Sequence, residues 1–259
     1  MVVSADGSGR EAVAVGAGSG LVLVHGAAHT SACWAPTVAE LARQAPDVAV
    51  TAVDLPGRGA TPGDLRTATL DDYADAVVDR IDAAGIDEVA LVAHSMSGLL
   101  VPGVVTRLGR RRVARLVFVA ALVPPDGSAL VDMLRGPVRW QVARAYRKAT
   151  PRPPPPPLLA RWLFCNGMTA AQREVVLAGL CEESTVIPGQ TVTHSPLLAS
   201  VPTTWILTRR DRMVRPRQQR ASIANLAGVD QVVELDAGHD IMVSHPAALA
   251  SILHQRHRP

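Results

Sequence analysis

Short runs of aliphatic residues alternate with amphipathic helical patterns along this chain, and that alternation limits its fold more than any other feature. The six apolar runs span residues 21–24, 48–53, 89–93, 113–121, 203–208 and 231–235. Continuous apolar runs of this length are typical of strands buried on both faces, as in parallel sheets. We therefore expect an α/β fold, with a mostly parallel, doubly wound sheet covered by helices on both sides.

Three helices are predicted between and after these strands. One apolar stripe with helical spacing contains Leu70, Tyr73, Ala74, Val77, Val78 and Ile81, and Gly85 would end that helix. Residues 97–108 and 244–254 predict two more, the latter with a proline in its first turn. With 259 residues and 48% hydrophobic residues, the chain can build one large core, so we expect one domain over residues 21–259 after a flexible segment at residues 1–20.

The alternation stops between Pro124 and Leu198, where no clear buried strand is present. The prolines of Pro153–Pro157 require an extended connector, because proline fits neither a helix interior nor a central strand. Residues 129–147 and 169–180 have helical patterns on either side of it. We interpret residues 124–198 as a mainly helical cap insertion between two strands of one sheet, and such insertions often cover active sites.

Composition excludes several functional classes. A net charge of +3, from 26 basic and 23 acidic residues, is too balanced for a nucleic-acid-binding protein. The three cysteines have no paired metal spacing, and no glycine-rich nucleotide loop is present, so we expect neither metal nor cofactor. No apolar run could span a membrane and the first residues lack a signal-peptide pattern, which together predict a cytoplasmic protein that does not bind membranes. A homodimer is possible on these observations, and the sequence leaves the oligomeric state open.

Ser95 is the candidate nucleophile. It follows a predicted buried strand and precedes a predicted helix, which is the position of a nucleophile elbow. A tight turn at that point exposes the serine hydroxyl above the sheet and puts the next amide at a helix N-terminus. The elbow requires small residues two positions before and after the serine; these are Ala93 and Ser97, where the usual pattern has glycine.

A nucleophilic serine needs a histidine to accept its proton and a carboxylate to orient that histidine. His239 follows the last predicted strand and is the best candidate base, with His245 as its local competitor. Asp211 follows the fifth predicted strand, so that the order is Ser, Asp, His, as expected for this arrangement. Three other carboxylates compete with it for this role: Asp236, Asp240 and Asp126.

The developing oxyanion needs backbone donors, for which we predict the amides of Met96 and Ala27. Met96 follows the nucleophile, and Ala27 lies in the loop after the first predicted strand. Four of the eight aromatic residues of the chain fall in the cap insertion: Trp140, Tyr146, Trp162 and Phe164. We predict that His29, Trp140, Trp162 and Phe164 line an apolar substrate pocket.

These elements together resemble the α/β-hydrolase superfamily, and within it the branch of plant methylesterases, hydroxynitrile lyases and their bacterial esterase relatives. The resemblance lies in residues 23–29 through Trp34, residues 53–57, Ala93-His94-Ser95-Met96 and Gly238-His239. Lyases of this branch have a threonine after the first-loop histidine and a lysine after the catalytic one. This chain has Gly26 and Asp240 at those positions, which favours ester hydrolysis.

The resulting hypothesis is a serine hydrolase that cleaves a small hydrophobic carboxylic ester through an acyl-enzyme on Ser95. Two alternatives use the same scaffold. One is a lyase or cyclisation enzyme of small-molecule biosynthesis, and the other is a ligand-binding protein with little turnover. Fold alone does not decide between them.

Overall fold

The computed structural model describes residues 18–226 and 228–257. The six strands of its main sheet are β1 (Gly18–Val24), β2 (Ala49–Val53), β3 (Ile86–His94), β4 (Val113–Val119), β7 (Thr203–Thr208) and β8 (Gln231–Leu235). They lie in the order β2-β1-β3-β4-β7-β8, and all neighbouring strands are parallel. A separate antiparallel pair is formed by β5 (Ser128–Ala129) and β6 (Thr191–Val192). The predicted parallel α/β architecture is confirmed.

Ten α-helices connect and cover the strands within the described residues. They are α1 (Ala35–Gln44), α2 (Leu70–Ala83), α3 (Val101–Arg112), α4 (Leu130–Met133), α5 (Gly136–Lys148), α6 (Pro157–Phe164), α7 (Ala170–Gly179), α8 (Pro216–Asn225), α9 (Ile241–Ser244) and α10 (Pro246–His257). Short 3-10 turns lie at residues 31–34, 95–99, 187–189 and 196–200. No helix in the described part of the chain is both long and apolar enough to cross a membrane.

Strand β1 shows how the sheet builds a core on each of its faces. Val22 and Val24 belong to one buried cluster, with side chains of α2 and α3, whereas Leu21 and Leu23 belong to a second, with side chains of α1 and α10. Successive side chains of a strand point to opposite faces, so a strand covered on both sides must be apolar at every position. This is why an inner strand such as β1 appears in the sequence as a continuous apolar run. The edge strand β8 is largely exposed, so the prediction that its run is buried on both faces was wrong.

The N-terminal boundary of the fold lies earlier than the apolar run indicated. β1 begins at Gly18, and Gly20 pairs with Ala49 on one side and Val89 on the other. Backbone pairing needs no apolar side chain, so the run alone could not show these residues as strand. The rest of the predicted flexible segment, residues 1–17, lies outside the described residues.

The cap insertion connects β4 to β7 and contains α4 to α7 together with the β5–β6 pair. The helical pattern predicted over residues 129–147 is divided into α4 and α5, with extended backbone at Leu134 and Arg135 and a positive φ of 61° at Gly136. Pro137 explains the break, because proline has no amide hydrogen and disfavours helical backbone in the residue before it. Strands of two residues, such as β5 and β6, are too short to leave an alternating pattern in a sequence.

Candidate active site

Ser95 lies directly after β3, in a turn that leads through residues 95–99 into α3. Its φ of 55° is in the left-handed region, which is uncommon for a residue with a side chain and is typical of strain held at a functional site. Its carbonyl oxygen accepts a hydrogen bond from the Leu122 amide at 3.0 Å, so the backbone after β4 supports the turn.

Close packing around the turn explains its small residues. A Cβ atom at Gly26 would lie 2.7 Å from the Ser95 Cβ, and one at Gly98 would lie 2.5 Å from the Leu122 carbonyl oxygen. Ser97 occupies a position where glycine is usual. Its hydroxyl donates to the backbone carbonyl oxygens of His94, at 2.8 Å, and of Val24, at 3.2 Å. Ser97 therefore fits because its hydroxyl finds acceptors inside the turn.

The three predicted side chains form one continuous hydrogen-bonded chain. The Ser95 Oγ lies 3.0 Å from the His239 Nε2, and the His239 Nδ1 lies 2.7 Å from the Asp211 Oδ2. All three residues are buried, although 144 and 28 positions separate these partners in sequence. They meet because each follows a parallel strand (β3, β7 or β8), and the carboxyl ends of these strands share one edge of the sheet.

Asp211 is held in place by hydrogen-bond donors on both of its oxygens. The Oδ1 accepts from the backbone amides of Met213 at 2.8 Å and Val214 at 2.7 Å. Besides facing His239, the Oδ2 accepts from the Thr208 hydroxyl at 2.9 Å and the Gln219 amide at 3.3 Å. Because every one of these neighbours donates a hydrogen bond, the carboxylate is held in one orientation.

The competing residues lie elsewhere. Asp236 is exposed and pairs with Arg210, and Asp126 accepts from the His194 amide at 2.7 Å. His245 is exposed, with its Nδ1 against the hydroxyl of the preceding serine. Asp240 is buried but faces a different histidine.

His239 is poised to exchange a proton. Burial lowers its pKa, but the adjacent Asp211 carboxylate more than offsets this by charge and hydrogen bonding, so the pKa lies above the usual value of 6.5. Asp211 also selects the tautomer, because its oxygen requires a proton on Nδ1 and leaves the Nε2 lone pair directed at the Ser95 hydroxyl. The arrangement can therefore remove the serine proton and stabilise the imidazolium that results.

A second buried histidine–carboxylate pair lies beside the first, and sequence reasoning missed it. The His29 Nε2 is 3.1 Å from the Asp240 Oδ2, while its Nδ1 is 2.7 Å from the Ala27 carbonyl oxygen. Both ring nitrogens face acceptors, which favours a proton on each of them and hence the cationic form of the ring. Burial alone would lower the pKa of His29, but Asp240 raises it above 6.5 in total. The only sequence signal was a carboxylate next to the candidate base.

The loop after β1 carries the predicted oxyanion donor Ala27. Burial lowers the pKa of His25 to about 4, so this ring is neutral. Its Nε2 accepts from the Leu55 amide at 3.2 Å, which leaves the Nδ1 proton to bond the Gly26 carbonyl oxygen at 2.8 Å. In a trans peptide the amide points away from the carbonyl, so this contact sets the direction of the Ala27 N–H. The second predicted donor, Met96, is the residue after Ser95 in its turn.

The four predicted pocket residues divide into two groups. Phe164, at the end of α6, is buried with its ring centroid 5.8 Å from that of His239 and 5.5 Å from that of His29. Trp140 is 61% exposed beside Arg144, and Trp162 is 48% exposed beneath Arg212. The structure thus brings His29 and Phe164 to the site, whereas the two tryptophans lie at the surface. An excess of aromatic residues in the cap insertion could not distinguish these positions.

Among the described residues, one group has the composition of a metal site. Ligand-type atoms of His94, His239 and Asp240 lie within 4.8 Å of one another, and all three residues are buried. Both nitrogens of His239 already face Ser95 and Asp211, and the His94 Nε2 bonds the His239 carbonyl oxygen at 3.2 Å. Ligation through His239 would break the serine–histidine–aspartate chain, so we assign no metal to it.

A family model described as "Alpha/beta hydrolase family" matches residues 21–252, which is most of the chain. The chain belongs to the alpha/beta hydrolase family. The resemblance to plant methylesterases is also confirmed, since Methylesterase 17 of Arabidopsis thaliana is 24% identical over 249 residues, covering 90% of this chain and 89% of that protein.

Other relatives match more strongly over shorter segments. The carbendazim hydrolyzing esterase of Nocardioides sp. (strain SG-4G) is 33% identical over 114 residues, which is 44% of this chain and 46% of that esterase. The chain thus spans less than half the length of several curated relatives that it matches. Among solved structures, an extracellular alpha/beta-hydrolase from a Paenibacillus species superposes with a TM-score of 0.80 at 18% sequence identity. The match covers 93% of this chain and all of that one, and it shows a similarity of fold.

Proposed function

We propose that this chain is a serine esterase that hydrolyses small, hydrophobic carboxylic esters through an acyl-enzyme on Ser95. The observation that carries this proposal is the buried hydrogen-bonded chain from the Ser95 hydroxyl through His239 to Asp211. Esterases among the relatives support the same activity.

In the first half of this reaction, His239 Nε2 takes the proton as Ser95 Oγ attacks the ester carbonyl carbon. The carbonyl oxygen becomes an oxyanion, which the amides of Ala27 and Met96 stabilise. When the tetrahedral intermediate collapses, the bond to the alcohol oxygen breaks and His239 gives its proton to that oxygen. Asp211 stabilises the imidazolium throughout without itself taking the proton.

In the second half, water replaces the alcohol. His239 removes a proton from the water as its oxygen attacks the acyl carbon, and a second oxyanion forms between the same two amides. Collapse of this intermediate breaks the bond to Ser95 Oγ, which recovers its proton from His239. The products are one carboxylic acid and one alcohol for each water consumed.

The surroundings of the triad support an apolar substrate. Phe164 contributes a buried ring next to His239, and the nearby charges of His29 and Asp240 neutralise each other. Among the described residues, no unpaired buried cation is thus available beside His239 to bind an anionic substrate. We propose that Phe164 contacts the acyl or alcohol group of the ester. Trp140 and Trp162 lie at the surface, so we propose that they contact only substrates long enough to reach the surface of the cap insertion.

The decisive experiment combines covalent labelling with product analysis. A fluorophosphonate probe should label the wild-type protein at Ser95 and leave Ser95→Ala unlabelled, while p-nitrophenyl esters of increasing acyl length report turnover. Hydrolysis in water enriched in oxygen-18 should place one heavy oxygen in the acid. Turnover without that oxygen would indicate lyase or cyclisation chemistry, and labelling without turnover on any ester would indicate a ligand-binding protein.

A further inference from the structure

The oxyanion loop (residues 26–29) is held by the cap insertion as well as by its own neighbours. The Ala28 amide donates to the Glu183 Oε2 at 2.5 Å, and the Ala28 carbonyl oxygen accepts from the Cys181 amide at 2.9 Å. Ala28 itself has a φ of 60°, so the loop adopts backbone that an alanine does not favour by itself. Its conformation must therefore be maintained by these external contacts.

Glu183 acts on the peptide that follows the proposed oxyanion donor. The Ala27–Ala28 peptide has its amide bonded to Glu183 and its carbonyl bonded to the protonated His29 Nδ1 at 2.7 Å. Both ends of this peptide plane are therefore fixed. Because the preceding peptide is fixed through the Gly26 carbonyl, the backbone on each side of Ala27 has one orientation.

The carboxylate of Glu183 is itself well anchored. Its Oε1 bonds the Arg58 guanidinium in a buried ion pair and accepts from the Ser184 amide at 2.7 Å. The backbone of Glu183 pairs with that of Arg152, with hydrogen bonds of 2.8 Å in both directions. Glu183 is thus a rigid link between the cap insertion, the loop after β2 and the oxyanion loop.

We propose that Glu183 is a positioning residue for the oxyanion hole, acting through the Ala28 amide to hold the Ala27 N–H toward the reacting carbonyl. This inference rests on the proposed esterase function. An ion pair with Arg58 alone would stabilise the cap insertion, but it would not need the second carboxylate oxygen on Ala28. The bond to Ala28 is the contact that a purely structural role leaves unexplained.

The test is the variant Glu183→Asp, with Glu182→Asp as the matched control on the exposed neighbouring residue. The shorter side chain keeps the negative charge facing Arg58 but draws the carboxylate back by about 1.5 Å, beyond reach of the Ala28 amide. Activity on a p-nitrophenyl ester is measured per active site titrated with a fluorophosphonate, so that only folded protein is counted. Inhibition by a trifluoromethyl ketone, which forms a tetrahedral oxyanion on Ser95, is measured alongside.

We expect Glu183→Asp to lower kcat by about 10- to 100-fold with KM unchanged, because the lost contact matters in the transition state. The inhibition constant of the trifluoromethyl ketone should rise by a similar factor, and Glu182→Asp should match the wild type. Equal kcat in the two variants, or a loss seen in KM without weaker trifluoromethyl ketone binding, would overturn the positioning role.

A crystal structure of the wild-type trifluoromethyl ketone adduct decides the matter even if Glu183→Asp does not fold. The adduct oxygen should lie within hydrogen-bond distance of Ala27 N while Glu183 remains bonded to the Ala28 amide. An adduct whose oxygen avoids Ala27, or a broken Glu183 contact, would overturn the inference alone. Wild-type protein without Ser95-dependent turnover, or without any adduct, would instead overturn the proposed function and the inference with it.

Discussion

Replacing Asp211 by asparagine tests the proposed mechanism most directly, because the structure predicts which way the new amide must turn. The two backbone amides of Met213 and Val214 require an oxygen at the Oδ1 position. Backbone amides can only donate, whereas the His239 ring and the Thr208 hydroxyl beside Oδ2 can instead accept. We therefore expect the asparagine nitrogen at the Oδ2 position, 2.7 Å from His239 Nδ1. An NH₂ group there forces Nδ1 to accept a hydrogen bond, so the ring proton moves to Nε2. A protonated Nε2 can no longer receive the proton of Ser95.

The wrong tautomer should lower kcat by about two to four decades, or ~3–5 kcal/mol in the activation barrier, with the fold retained. Asp236→Asn is the control, because that carboxylate is an exposed partner of Arg210, and its kcat should stay within about twofold of the wild type. Both variants are compared on one p-nitrophenyl ester after active-site titration. An Asp211→Asn enzyme that keeps a tenth of wild-type kcat would refute the assignment. So would an Asp236→Asn enzyme whose kcat falls further than that of Asp211→Asn.

The pH dependence of the same pair provides an independent check. The pKa of His239 is raised above 6.5, so wild-type kcat/KM should fall as the pH drops through that raised value and the ring becomes protonated. Burial lowers this pKa and Asp211 raises it. Loss of the carboxylate charge should therefore move the acid limb of the residual activity to lower pH. A limb that stays in place would show that Asp211 does not control the ionisation of His239.

Three further outcomes are expected. Ser95→Ala should lower kcat by about four to six decades, and adding His239→Ala should cost little more because the residues act as a unit; additive losses in the double variant would contradict this. Phe164→Ala should raise KM for bulky esters more than for acetate esters, by about 1–3 kcal/mol of discrimination, and equal effects on both would remove Phe164 from the pocket. Asp240→Asn should lower the free energy of unfolding by about 3 kcal/mol at pH 6, because it removes the partner of the buried His29. The difference from the wild type should shrink as the pH rises through the raised pKa of His29, where the wild-type pair loses its cation. Thermal unfolding at several pH values measures this, and a difference that grows with pH would refute the ion pair.

Much of the fold could be predicted from the sequence because its signals are local. The apolar runs of β7 and β8 match the observed strands at both ends, and α2 begins at the first residue of its predicted stripe. The periodicity of apolar residues depends only on close neighbours, so it indicates where strands and helices lie. It did not show that the edge strand β8 is largely exposed. The helix break at Gly136-Pro137 was also readable in principle, but the helical pattern on both sides concealed it.

Candidate residues that follow strands were predictable for a related reason. Parallel strands end at one edge of the sheet, so Ser95, Asp211 and His239 could be expected near one another without knowledge of any distance. The sequence did not show which carboxylate would face His239, since Asp236 and Asp240 are nearer to it along the chain. That choice depends on the path of the backbone after β7 and β8.

Contacts between loops that are distant in sequence were decided by the tertiary structure alone. Glu183 lies 155 positions from Ala28, and Asp240 lies 211 positions from His29, so no periodicity or local motif relates the members of either pair. The strand and helix patterns, the nucleophile turn and the order of the candidate residues were determined by the sequence itself, because backbone preference and burial act between close neighbours. The partners of buried charges depend on how distant loops pack, since a charged side chain taken from water must find its counterpart wherever the folded chain brings one.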